Sequence, residues 1–320
     1  MRRAIVSSVP VYAFVPAGFP FPFPRMLRAP FDFLDKKIAQ HPPTPPVPRV
    51  PSKTARIAWG ILHKELFYLS QWYCSWFNIA FDVNILQLPF GLEAVAMQMA
   101  RAAGMPVPKL LCCGKHPNAP YSRTFSILMT RLPGVALENS SYQLEIDAEG
   151  PWLEELKTCV HSMRSWYPPD QSPISSPIGT SIRSSRVPDH IMGPFTSERE
   201  FHDYLFSPAS SHAFESHAEY EQTLVCAKKL QQRSHRIVFT HGDLKAHNII
   251  VDDEGQLSGI LDWESADWYP EYWEFTTAMR FGRGSWWFQV ASWIGGDQNL
   301  EELASDVALN LLTVDSYIAF

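Results

Sequence analysis

Charge of one sign never accumulates along this chain, and that absence narrows its partners first. Its 27 Lys and Arg stand against 33 Asp and Glu, for a formal net charge of -6. A general nucleic-acid binder would show a basic face, so nucleic acid is not an expected partner. Cysteine is scarce: Cys74, Cys112, Cys113, Cys159 and Cys226 are odd in number and form no C-x-x-C pair. Neither a zinc site nor a disulfide framework is indicated, and reduced thiols in a cytoplasmic protein are expected. Long apolar runs are missing too. Arg2 and Arg3 precede an apolar stretch, as in a signal peptide, but Pro10, Pro16, Pro20, Pro22 and Pro24 interrupt any helix there. Leu66 to Phe81 is broken by Ser70, Gln71, Ser75 and Asn78, and falls short of the roughly 20 apolar residues a spanning helix needs. No membrane partner is expected, and no internal repeat is present.

What the chain has in excess is proline near its start. The first 51 residues hold 12 of the 27 prolines, so 1–55 is expected to be an extended or disordered leader. Beyond it, 320 residues with 46% hydrophobic content can bury a full core and build two lobes. Leu62 to Phe81 reads as a helix and Val83 to Leu88 as a short strand. Glu93 to Ala103 reads as a helix capped by Gly104 and stopped by Pro106. Pro108 to Cys112 and Ser126 to Leu132 read as strands. Later, Trp152 to Trp166 has helical periodicity, Ser172 to Pro194 reads as a long loop, and Glu198 to Phe206 and Ala218 to Gln232 as helices. Ile237 to Thr240, Asn248 to Val251 and Leu257 to Leu261 read as strands, and Leu300 to Ile318 as a closing helix.

The chemistry concentrates in Ile237-Val-Phe-Thr-His-Gly-Asp-Leu-Lys-Ala-His-Asn-Ile-Ile-Val and the following Leu257-Ser-Gly-Ile-Leu-Asp-Trp-Glu. Two apolar strands bracket a polar loop, and a third strand ends in a carboxylate. That order aims Asp243, Asn248 and Asp262 at one point. Asn248 and Asp262 offer the hard oxygen ligands magnesium prefers, which leaves Asp243 to face an acceptor hydroxyl. A lone Asp in a loop is ordinarily a turn residue, as Asp252 and Asp253 before Gly255 are read. A turn role would not require the joint spacing of these three.

The spacing resembles the protein-kinase catalytic loop, with Gly242 in place of its Arg and Asp262-Trp263-Glu264 in place of Asp-Phe-Gly. The combination H-G-D-x-x-x-x-N with a later I-x-D-W-E is similar to that of the aminoglycoside phosphotransferase and choline kinase family. Many fungal members also carry stretches like Gly104-Met-Pro-Val-Pro and Leu132-Pro-Gly. The resemblance runs from about Glu93 to the C-terminus. It implies an α+β, bilobal protein-kinase-like fold, with a reduced sheet lobe over 56–131 and a mainly helical lobe over 132–320. It further implies ATP and magnesium as cofactors, a small hydroxylated substrate, Asp243 as base, and Asn248 and Asp262 on the metal. Met129 and Arg131 would lie in the hinge that meets adenine, and Glu93 would pair with an ATP-orienting lysine. His241 is read as bracing the loop, His247 as loop support or phosphate contact. Glu264 and Asp267 would face a cationic substrate or serve in structural hydrogen bonds. Trp263, Trp268, Tyr269, Tyr272 and Trp273 would form a quaternary-ammonium cage or, as the stronger expectation, core.

One departure from the family stands out. No lysine occurs between Lys64 and Lys109, and the chain passes from Pro89-Phe90-Gly91-Leu92 straight into Glu93. About ten residues, one strand and a turn, are missing where relatives carry the lysine. A deletion, a substitute cation such as Lys64 or Arg101, or a kinase-like binding protein of weak activity would each account for it. Glu93 is then expected to point to solvent or pair with an arginine, with the 62–81 segment covering an exposed sheet edge. A metal-dependent hydrolase around His241 is a third function class, disfavoured because Asn248 is a poor substitute for an imidazole. Aminoglycosides, choline, sugars and other hydroxylated metabolites all fit as acceptors.

Overall fold

The computed structural model describes residues 43–63, 65, 86–87, 92–116, 124–130, 132–138, 140, 143–168, 173–187, 190–280 and 282–318. Residues 1–42 of the expected leader, Lys64, Arg131 and most of the 62–81 segment therefore lie outside the described residues. Residues 43–52 carry no regular structure, and Thr44 Oγ1 accepts the Tyr167 N–H at 2.8 Å.

Helix α1 covers 53–63, and glycine sets how closely it approaches the small sheet. A Cβ on Gly60 would lie 2.2 Å from the Lys115 carbonyl oxygen, and one on Gly114 would lie 2.6 Å from the Gly60 nitrogen. The sheet itself comprises β1 (Leu86–Gln87), β2 (Leu110–His116) and β3 (Thr124–Met129), ordered β1–β3–β2 with antiparallel pairing. Successive strand residues face opposite sides. Cys112 and Ser126 meet His63 of α1, at 3.0 and 2.6 Å. Cys113 and its cross-strand partner Ile127 instead pack with Ala94 of α2 (Leu92–Ala102). The sheet is thus covered on both faces by helices. Gly104, at φ +88°, turns the chain after α2 as a left-handed residue should, and Pro106 follows.

From β3 the chain passes through Leu132-Pro133-Gly134 into the mainly helical part. Gly134 has φ +94°, and a Cβ there would sit 2.2 Å from the Val251 carbonyl oxygen. That close approach sets β4 (Val135–Ala136) beside the later β8 (Ile249–Val251), which pairs with β9 (Leu257–Ile260). Helix α3 (Ile146–Met163) lays Leu153, Leu156, Val160 and Met163 onto the main core with Phe239, Ile260, Trp263 and Val290. It begins at Ile146, earlier than the sequence pattern indicates, and carries Pro151 inside the helix, where the missing N–H forfeits a ladder bond.

Of the 172–194 stretch expected to be a loop, the described residues form a packed hairpin. Strand β5 (Ile182–Arg183) pairs with β6 (Ile191–Met192). Ile174, Ile182, Val187, Met192 and Phe195 join a second core with Phe201, Tyr269 and Trp273. Helix α4 (Glu198–Phe206) matches its expected bounds, and Ser197 caps it by accepting the Glu200 N–H at 3.2 Å. Helix α5 (His217–Ala227) follows. Strand β7 (Ile237–Thr240) pairs with β10 (Asp267–Pro270), an element absent from the sequence reading, as are α6 (Trp273–Met279) and α7 (Trp286–Trp293). Helix α8 (Leu300–Ile318) closes the chain. Trp263, Trp268, Tyr269, Tyr272 and Trp273 are all buried, so these aromatics are core and form no open cage. The architecture is α+β, a reduced sheet part ahead of a mainly helical part. Among the described residues, four cysteines are free thiols and no helix is long and apolar enough to cross a membrane.

Candidate active site

The polar loop leaves β7 at Thr240 and turns at Gly242, whose φ is +78°. A Cβ at that position would lie 2.2 Å from the Ser265 carbonyl oxygen. Positive φ and close packing together explain why glycine, and not arginine, follows His241 here. His241 is buried; its Nε2 lies 2.8 Å from the Leu261 carbonyl and its Nδ1 accepts the Asp243 N–H at 3.4 Å. Burial lowers its pKa to about 4, so the ring is neutral near pH 7 and links the loop to the end of β9.

Backbone contacts bring the three spaced residues together. Asn248 Nδ2 donates to the Asp243 carbonyl at 2.9 Å, and the Leu261 N–H donates to the Asn248 carbonyl at 2.8 Å. Asp262 follows β9 in a left-handed conformation, φ 60° and ψ 63°, which is costly for a residue with a Cβ. Its carboxyl is buried, and Oδ1 has no hydrogen-bond partner. Burial, then the charges of Glu264 and Asp243, raise its pKa to about 8; Lys245 and Arg183 oppose the rise. Lys245 Nζ stands 2.6 Å from Asp243 Oδ1, an ion pair lacking good hydrogen-bond alignment. His247 is exposed on the loop surface.

Glu93 corrects the expectation that it faces solvent or an arginine partner. It is 1% exposed, and α2 packs onto the turn Trp263–Ser265. One carboxyl oxygen accepts the Trp263 N–H and Oε2 has no hydrogen-bond partner. Burial, then Asp262 and Glu264, push its pKa well up, and Arg183 only moderates this. The carboxyl thus meets the Trp263 backbone and feels the charge of Asp262. Met129 ends β3 half-buried against the main core, opposite Leu110. Among the described residues no three His, Cys, Asp or Glu side chains form a metal-holding group.

Three contributors escaped sequence reading. Glu274 of α6 is fully buried and accepts the His241 and Gly242 N–H groups at 2.6 and 3.2 Å. Trp287 Nε1 of α7 donates to the Leu244 carbonyl at 3.0 Å. Arg183 of β5 pairs with Glu264 at 3.0 Å, and Asp267 accepts the Arg183 N–H at 3.0 Å, so Asp267 serves structure. Of these and Lys245, only the lysine two places after Asp243 had a local signal.

A family model described as the phosphotransferase enzyme family matches residues 89–304, more than half of the chain. The chain belongs to that family. The match spans α2, β2 and β3 of the small sheet, the loop after β7 and the helices up to the start of α8. No curated protein matched this phosphotransferase. Among solved structures it is similar to a thermostable mutant of aminoglycoside phosphotransferase APH(4)-Ia in ternary complex with ADP and hygromycin B. The identity there is 16%, covering 78% of this chain and 90% of that one, at a TM-score of 0.49. It is also similar to aminoglycoside phosphotransferase APH(3'')-Id from Streptomyces rimosus, at 16% identity, 69% and 80% coverage and a TM-score of 0.39. Macrolide 2'-phosphotransferase MphH from Brachybacterium faecium is a third, at 16% identity, 73% and 74% coverage and a TM-score of 0.37.

Proposed function

We propose that this phosphotransferase moves the terminal phosphoryl group of ATP, with magnesium, to a hydroxyl of a small molecule. The observation that carries the reading is the linked set Asp243, Asn248 and Asp262, tied through backbone carbonyls within a family whose activity is phosphoryl transfer. The residues suit a hard divalent cation. Asp262 Oδ1 is buried without a partner, and nearby Glu264 and Asp243 raise the Asp262 pKa, so a cation would relieve both conditions. Asn248 and Asp262 would hold it, and bound magnesium would neutralise charge developing on the transferred group. Asp243 would orient the acceptor hydroxyl and take up its proton, with Lys245 beside it as a partner for the moving charge. Met129 would meet adenine, as the family resemblance implies of it and of Arg131, which lies outside the described residues. His247, on the exposed loop surface, would support the loop or meet phosphate.

A second reading, a kinase-like binder of weak activity, is favoured by one observation: buried Glu93 faces carboxylates where a lysine is expected. Titrating magnesium–ATP binding and ADP release separately distinguishes the two. ADP release stimulated by hydroxylated or cationic metabolites supports the transferase. Nucleotide binding without release under any acceptor supports the binder.

A further inference from the structure

A second concave region of the helical part shares no lining residue with Asp243, Asn248 and Asp262. It is a cavity of about 860 Å³ bounded by the end of α5, the short helical turn Lys228–Gln232 that follows, α7 and the first turns of α8. His235 enters its wall two residues before β7, at the end of that strand away from the loop carrying Asp243. The volume suits a small organic molecule.

Its lining carries charge of both signs in unequal amounts. Lys229, Arg233 and Arg283 stand against Glu301 and Glu302, in a chain whose own net charge is -6. Both carboxylates are already engaged: Glu301 Oε2 meets Arg233 Nη2 at 2.5 Å, and Glu302 Oε1 lies 3.4 Å from Arg233 Nη1. Lys229 and Arg283, both exposed, take part in no ion pair among the described residues. They come from separate elements, the turn after α5 and the turn before α7. His235 adds positive charge. Its side chain is 8% exposed, Nδ1 lies 2.6 Å from Glu198 Oε1, and its backbone N–H donates to Glu198 Oε2 at 3.0 Å. Burial works to lower its pKa, but Glu198 and then Glu302 raise it above the ordinary value. Nε2 makes no hydrogen bond and faces Glu302 Oε1 across 3.6 Å. Between the charges the wall is apolar, formed by Leu230, Phe288, Leu300 and Ala304. An excess of cations favours an anion, and an apolar wall favours a body that leaves water.

We propose that this cavity binds a small organic anion, a carboxylate or phosphate joined to an apolar group. Lys229 and Arg283 take the charged end, and Leu230, Phe288 and Leu300 cover the rest. The site is separate from the residues assigned to phosphoryl transfer, so its occupant is neither the nucleotide nor the acceptor. Cys226 on the same wall reports on it: among the described residues it is the one cysteine that is not buried, and its thiol is free.

The test follows alkylation of Cys226 by iodoacetamide in the purified full chain, read by peptide mass spectrometry so that other cysteines do not enter. Octanoate and phenyl phosphate are the anionic probes, with octanamide and benzyl alcohol as their neutral counterparts. At least one anion should slow the alkylation, and its neutral counterpart at equal concentration should not. The more protective of the two anions tells a carboxylate site from a phosphate site. The double variant K229Q/R283Q, changed only at exposed side chains, should raise the half-protecting concentration about tenfold, the weight of one charge-assisted contact. If Cys226 of the wild type does not alkylate, calorimetry with the same probes and the same double variant makes the comparison. Binding of neither anion, equal binding of an anion and its neutral counterpart, or affinity unchanged in K229Q/R283Q overturns the proposal.

Discussion

Two backbone N–H groups of the loop after β7, those of His241 and Gly242, share one acceptor, the buried carboxylate of Glu274. Burial raises that carboxyl from 4.5 to about 7. A folded pKa above the unfolded one means its stabilising contribution is complete below about 4.5 and lost as pH climbs through about 7. His241 has the opposite sign: lowered from 6.5 to about 4, it costs stability as pH falls through that window. Below pH 6.5 the two slopes oppose, and above it Glu274 acts together with Asp262, raised to about 8. Wild-type Tm should therefore fall between pH 6.5 and 8, and E274Q should flatten the lower half of that fall. Equal slopes in thermal scans of the two proteins would refute the cause assigned. E274A, which leaves both donors unpaired, should cost about 1–3 kcal/mol per group in denaturant unfolding. The proposed transfer gives Asp243 and Asp262 different roles. D243A should cut kcat with ATP affinity largely kept, whereas D262A should weaken magnesium–nucleotide binding, and equal mild effects would count against both roles. Asp243, Asn248 and Asp262 were legible because their spacing is local. Glu274 and Arg183 were not, since their partners lie 32 and 81 residues away in the chain.

At the scale of elements, close backbone approach explains both what was legible and what was not. Helices α2, α4 and α8 declare themselves by caps and apolar periodicity. Strand β10 and helices α6 and α7 do not, because they are buried on most sides and an element with no polar face shows no period. The β5–β6 hairpin is only two residues per strand, and its serines and glycine read as loop. Contact between α1 and β2 depends on Gly60 and Gly114. G60A should thus destabilise the protein by about 1–3 kcal/mol, measured by chemical unfolding, since overpacking against a backbone carbonyl cannot relax cheaply. The lysine strand is testable at the same scale. Inserting a lysine-bearing strand between Leu92 and Glu93 should tighten ATP binding about tenfold, because Glu93 already sits beside Asp262 and would gain a cation. Calorimetry on the insertion variant with unchanged ATP affinity would refute that gain.

For the molecule as a whole, binding that bridges the small sheet part and the helical part should stabilise both. Magnesium–ATP at about 100 times its Kd should add about 2.7 kcal/mol, read as a rise in Tm that adenosine without phosphates reproduces only in part at equal concentration. No rise at any magnesium–ATP concentration would count against nucleotide binding beside Asp243, Asn248 and Asp262. The amino-acid sequence by itself determined the family and the α+β class and singled out Asp243, Asn248 and Asp262, since loop spacing, turn glycines and apolar periodicity are properties of neighbouring residues. The tertiary structure alone decided the electrostatics. Where Glu93 points, which carboxylates repel one another and which arginine reaches them depend on distances between segments far apart in the chain, and charge acts through space.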